Sequence, residues 1–251
     1  MTSNVSGNPS ASTTRCTFVE GPPRELPIGQ GHGHGHGHGK TAPVQGHALR
    51  RAWYPPVMVA GARRRATYED VLAAPPNVVA ELVSGVLYTH PRPAKPHAAA
   101  ASALGEELGP PFKRGRGGPG GWVILDEPEL HLGGDVLIPD LAGWRRERLP
   151  HLDASVPYFD LAPDWVCEVL SPSTEALDRG ETRAAYAREG VRHLWLVTPP
   201  ARLVEVLRLD GLRWLIAQTF AGDEKVRAEP FDAIELDLSI PWADVVYPEP
   251  P

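Results

Sequence analysis

This chain of 251 residues has little cysteine, no long apolar run and no excess of positive charge. Its two cysteines, Cys16 and Cys167, do not make a disulfide framework, so a reducing compartment is expected. No apolar run approaches the ~20 residues that span a bilayer, and the N-terminus lacks the apolar stretch of a signal peptide. Together these absences predict a cytoplasmic protein with no membrane segment. The formal charge is -6; residues 1–61 hold five basic and two acidic residues, which leaves -9 on the remainder. A chain of that sign is no general polyanion binder, and contact with nucleic acid has to be local or assisted by a metal ion. Three short basic clusters are local candidates: Arg63-Arg64-Arg65, Lys113-Arg114-Arg116 and Arg145-Arg146-Arg148. Solvated surface is the plainer reading of each.

What is present divides unevenly. Residues 1–61 hold ten Gly and seven Pro with no sustained apolar periodicity. Such a segment cannot bury enough surface to offset its chain entropy, so a disordered tail is predicted. Within it, His32, His34, His36 and His38 alternate with glycine. Neutral imidazoles ligate nickel, zinc or copper, but glycine organises no geometry, and such chelation would be adventitious. A low-complexity linker, or residues foreign to the native protein, are the competing explanations; translation starting at Met58 would remove the repeat. Residues 62–251 read as one domain, and six of the seven Trp lie between Trp122 and Trp242.

Thr67 reads as an N-cap, with Glu69 and Asp70 in the first turn of a short helix that ends before Pro75-Pro76. Val78 to Thr89 reads as a hairpin turning at Ser84-Gly85. An alanine-rich helix follows from about Pro96 to Leu108, then a Gly/Arg-rich loop. Strands are expected at Trp122–Leu125, Glu129–Leu132, Val136–Asp140, Asp164–Leu170 and His193–Val197, with a loop from Arg145 to Pro150 and a helix from Thr174 to Glu189 closed by Gly190. Leu203–Leu209, Arg213–Phe220 and Ala233–Leu238 alternate like antiparallel strands. The order predicts a mixed α/β fold: a sheet flanked by helices, with a C-terminal antiparallel β extension.

Two of the strand patterns stand out. Val136-Leu137-Ile138-Pro139-Asp140 and Asp164-Trp165-Val166-Cys167-Glu168-Val169-Leu170 are nearly continuous apolar runs, as in strands buried on both faces. Asp140 and Glu168 nevertheless interrupt them with carboxylates. A buried ionised carboxylate needs a partner. Two acids at one sheet edge make an oxygen-rich site suited to Mg2+ or Mn2+. The alternative is a pair of strand-end acids that cap helices or bind arginines.

The ordered set Glu81-Leu82-Val83-Ser84-Gly85, His97, Pro139-Asp140, Glu168-Val169-Leu170-Ser171-Pro172-Ser173-Thr174, Tyr186, Gly190-Val191 and Trp195-Leu196-Val197 resembles the Uma family of restriction endonucleases, in the PD-(D/E)XK nuclease superfamily. The resemblance spans roughly residues 66–243. It implies a restriction-endonuclease-like core and a metal-dependent endonuclease hydrolysing DNA, with Asp140, Glu168 and Glu81 as metal ligands. Cutting both strands with one active site per chain would favour a homodimer. A lysine normally orients the attacking water. Here the position after Val169 is Leu170, and the family's D-R-G-E-K-like stretch reads Asp178-Arg179-Gly180-Glu181-Thr182-Arg183, which puts Thr182 at the lysine. On α-helical spacing Arg179 lies on a similar face to Thr182 and is the candidate substitute. Arg183 points about 100° away. Thr198 stands where relatives usually have aspartate. These departures leave a second reading open: a catalytically lapsed nuclease fold that binds DNA or a protein. His97 either approaches the scissile phosphate or caps its helix. Of Glu127 and Glu129, one is placed to join the metal cluster, with solvent-facing strand acids as the alternative. Tyr186 and the tryptophans read most simply as core.

Overall fold

The computed structural model describes residues 64–247. The tail with its Gly-His repeat, Cys16 and Met58 therefore lie outside the described residues, as does Arg63. Thr67 opens α1 (Tyr68–Leu72) and donates its backbone N–H to the Asp70 carboxylate at 2.8 Å. A hairpin follows, β1 (Val78–Val83) against β2 (Val86–Pro91), with Ser84 and Gly85 at positive φ in the turn. Helix α2 (Lys95–Leu108) runs on into a π-helical turn at Gly109–Lys113. Strands β3 (Trp122–Asp126), β4 (Leu130–Leu132) and β5 (Asp135–Leu137) precede β6 (Leu141–Arg145) and β7 (Trp165–Val169). After α3 (Glu175–Leu177) and α4 (Arg183–Arg188) come β8 (His193–Thr198), β9 (Leu203–Asp210), β10 (Arg213–Ala221) and the short pair β11 (Lys225–Val226) and β12 (Leu236–Asp237).

Two principal sheets result. One has the order β2-β1-β5-β4, and the other the order β10-β9-β8-β7-β6-β3. In the larger sheet β7 and β8 are parallel, joined by the crossover that carries α3 and α4, and the other pairs are antiparallel. The central strands of that sheet are buried on both faces, as their apolar composition requires. Trp165, Cys167 and Val169 face α2 together with Trp122, Trp195 and Phe231. Val166, Leu194 and Leu196 face the opposite side with Trp144 and Tyr186. Five tryptophans are fully buried, in keeping with the core reading. Cys167 is a buried free thiol, pushed up by burial and therefore inert. Among the described residues no helix is long and apolar enough to cross a membrane.

Four local expectations need correction. The run Val136–Asp140 is not one strand. The chain leaves β5 at Leu137 and passes through Ile138-Pro139-Asp140 into β6, which belongs to the other sheet. Pro139 has no N–H for a ladder, so the switch falls there. Second, Leu141–Arg145 is a central strand. Its Gly143 disguised it, and the reason for glycine is contact: a Cβ there would meet Trp165 at 3.1 Å and Trp122 at 3.3 Å. Third, the helix expected over Thr174–Glu189 is broken by a π-helical turn at Asp178–Thr182. Fourth, the strand expected at Ala233–Leu238 shrinks to Leu236–Asp237.

Candidate active site

The switch between sheets builds a cleft. Extending the β6–β7 register by one step from Leu141↔Cys167 sets Asp140 opposite Glu168. Asp140 is held by the backbone N–H of Val169, which donates to its Oδ2 at 2.7 Å. Glu81 approaches from β1. Its Oε1 accepts from the Ile138 N–H at 2.8 Å, and its Oε2 lies 2.9 Å from His90 Nε2. Both acids are thus fixed by a neighbouring backbone or ring. The cleft, about 220 Å³, is lined by Glu81, Asp140, Glu168, His97 and Glu127 and, beyond the expected residues, by Asp178, His90 and Arg92. His97 Nε2 sits 3.2 Å from Asp140 Oδ2.

Arg179 is not among the lining residues. It pairs with Glu175 at 3.0 Å and with Glu205 of β9 at 2.6 Å. The reason lies in the π-helical turn, whose wider winding invalidates α-helical face arithmetic. That turn buries Asp178 and leaves Thr182 only 1% exposed, with no partner for its hydroxyl among the described residues. Glu127 lines the cleft in a left-handed conformation (φ 45), its N–H donating to the Asp140 carbonyl at 3.1 Å. Glu129 turns away to Tyr68 and His131. Sequence reasoning missed Asp178, although it opens the very stretch inspected for lysine. It also missed His90 and Arg92, which carry no signal beyond lying on and after the hairpin.

Electrostatics give the cleft its character. Five carboxyl groups face Arg92 and two imidazoles. Burial, followed by the charges of Asp178, Asp140 and Glu81, raises the Glu168 carboxyl well above its ordinary range. Asp178 is raised likewise, by burial first, with Glu81 and Asp140 adding to it. One contact opposes the shift of Glu168: the Tyr186 hydroxyl donates to its Oε1 at 2.7 Å. Tyr186 is therefore core and site at once. Among the described residues, no three His, Cys, Asp or Glu side chains already stand at metal-holding geometry. The donor set still fits a hard divalent cation, because oxygen ligands predominate and the five carboxyls outnumber the cationic side chain that faces them.

A solved structure described as a putative nuclease belonging to DUF820, from Anabaena variabilis ATCC 29413, is similar in fold. It has a TM-score of 0.54 and 21% identity, covering 70% of this chain and 97% of that one. No curated protein shows a significant match. The Uma2 family model, described as "Putative restriction endonuclease", matches residues 65–240, which takes in every strand of both principal sheets and all the acids of the cleft. The chain belongs to that family.

Proposed function

We propose that this protein is a Mg2+- or Mn2+-dependent endonuclease that hydrolyses phosphodiester bonds of DNA. The observation that carries the reading is the meeting of Asp140, Glu81 and Glu168 in one cleft at the switch between sheets, with an acid surplus that calls for a cation. Asp140, Glu168 and Glu81 would hold it. When bound, such an ion polarises the phosphate and makes water a better nucleophile. The chain's own groups do the rest. The Val169 and Ile138 N–H groups keep two carboxylates aimed, and the Tyr186 hydroxyl favours the ionised form of Glu168. Arg92 lies on the cleft wall, where a guanidinium offsets charge on the reacting phosphate. His97, beside Asp140, is placed to hold or pass a proton.

The test is nicking of supercoiled plasmid by the full chain with Mn2+. Asp140→Ala is expected to abolish it, and nicking that survives the change overturns the assignment. A second reading, a lapsed nuclease fold that binds DNA or a protein, is favoured by Thr182, which has no cationic function and is buried. Under it the wild type is inert and Thr182→Lys gains activity. Equal activity of the two removes it.

A further inference from the structure

The three basic clusters differ sharply in what they touch. Arg145 lies over the Trp122 ring at 4.1 Å, Arg146 donates to the Trp122 carbonyl, and Arg148 pairs with the buried Asp164 at 2.9 Å. Arg64 is paired with Asp70 at 2.7 Å. These cations are occupied by the protein itself. Lys113, Arg114 and Arg116 make no ion pair among the described residues.

Those three stand at one end of a groove of about 760 Å³ that shares Pro93, His97, Glu127 and Asp140 with the acidic cleft. Between the ends its wall is α2, whose groove-facing residues include Ala98, Ala101, Ser102 and Gly105, too short to block a chain lying along it. The basic end is anchored. Arg114 N–H donates to the Gly109 carbonyl and Arg116 N–H to that of Pro110, while Gly118 packs so closely on Pro111 that a Cβ would approach to 2.5 Å. A fixed basic turn gives up less freedom on binding than a loose one.

We propose that this groove carries the sugar-phosphate backbone of a DNA strand on one side of the bond to be cut, with Lys113, Arg114 and Arg116 meeting its phosphates. The inference rests on the nuclease reading above and extends it from a reacting phosphate to a polymer with a defined path. From Ala98 to Leu108 α2 advances about 15 Å, the axial rise of about four base pairs of duplex. Glu106 and Asp126 also line the groove and oppose the strand. This explains why a chain of net negative charge can engage a polyanion: divalent ions serve the acidic end, and unpaired side chains serve the other.

The experiment is fluorescence anisotropy of the full chain with a labelled duplex in Ca2+, repeated across salt concentrations. Every phosphate that a cation ceases to neutralise makes the plot of log affinity against log salt shallower by about 0.9. The triple variant Lys113→Ala, Arg114→Ala, Arg116→Ala is expected to lower the slope by roughly 2 to 3 and affinity by on the order of tenfold. Arg213→Ala, an exposed charge on β10, serves as the control and keeps the wild-type slope, whereas Glu106→Gln tightens binding. A triple variant with the wild-type slope overturns the groove and leaves the nuclease reading standing. A wild type that binds no DNA at all overturns both.

Discussion

Replacing Tyr186 by phenylalanine tests whether Glu168 works as a charged group. The hydroxyl, itself fully buried, donates to Glu168 Oε1 at 2.7 Å, and it opposes the upward pull of burial on that carboxyl. A hydrogen bond to a charged partner contributes about 1.5–3 kcal/mol. Removing it takes away a contact that favours the charged form, so the ionisation of Glu168 moves further upward. The ring itself stays, so packing against Leu194 and Leu196 survives. Nicking rates measured across pH with Mn2+ should therefore show the acid limb displaced to higher pH, with the rate regained at alkaline pH. An acid limb that does not move would refute the reasoning. So would a rate lowered equally at every pH, because either result means that Glu168 is not the titrating group.

Arg92→Ala should slow nicking by about a hundredfold, the low end of the loss of one charge-stabilising donor. Arg179→Ala should leave the rate intact and cost at most about 1 kcal/mol of stability in urea melts, the usual scale for a partly exposed ion pair; the reverse pattern would restore Arg179 to the site. Because Glu168 and Asp178 are raised, the folded protein keeps protons that the unfolded chain sheds above about pH 4. The contribution of these two acids to metal-free stability is therefore fullest below that pH and falls as pH rises toward the raised folded values. If Mg2+ binds there in place of those protons, it should raise Tm more near about pH 8 than near about pH 5 in calorimetry, and equal shifts would contradict a cation site built on these acids. Trp165→Ala, which empties a site packed on Trp195 and Phe231, should cost about 3–5 kcal/mol in denaturant unfolding.

The strands around Glu168 and Trp195 were legible because burial on both faces leaves an unbroken apolar run, and the first hairpin because Ser84-Gly85 marks its turn. The path through Asp140 was not. Pro139 hides a change of sheet inside what looks like one strand, and Gly143 hides the next strand because its role is to admit two indole rings. The acids Glu81, Asp140 and Glu168 were readable as an ordered set, and the structure lines one cleft with all three. Asp178 was overlooked because α-helical periodicity was carried through a π-helical turn, where no residue announces the extra winding. The same error brought Arg179 toward the site. Among the basic clusters composition could not discriminate, since what separates them is whether a folded neighbour such as Asp164 or Trp122 has already engaged the cation.

The most direct measurement is the anomalous difference map of a crystal of the full chain soaked in Mn2+. A manganese peak is expected in the cleft, within ligating distance of both Asp140 and Glu168, and it should disappear in Asp140→Ala. A cleft left empty at saturating Mn2+, or a peak that persists there without the Asp140 carboxylate, would contradict this expectation.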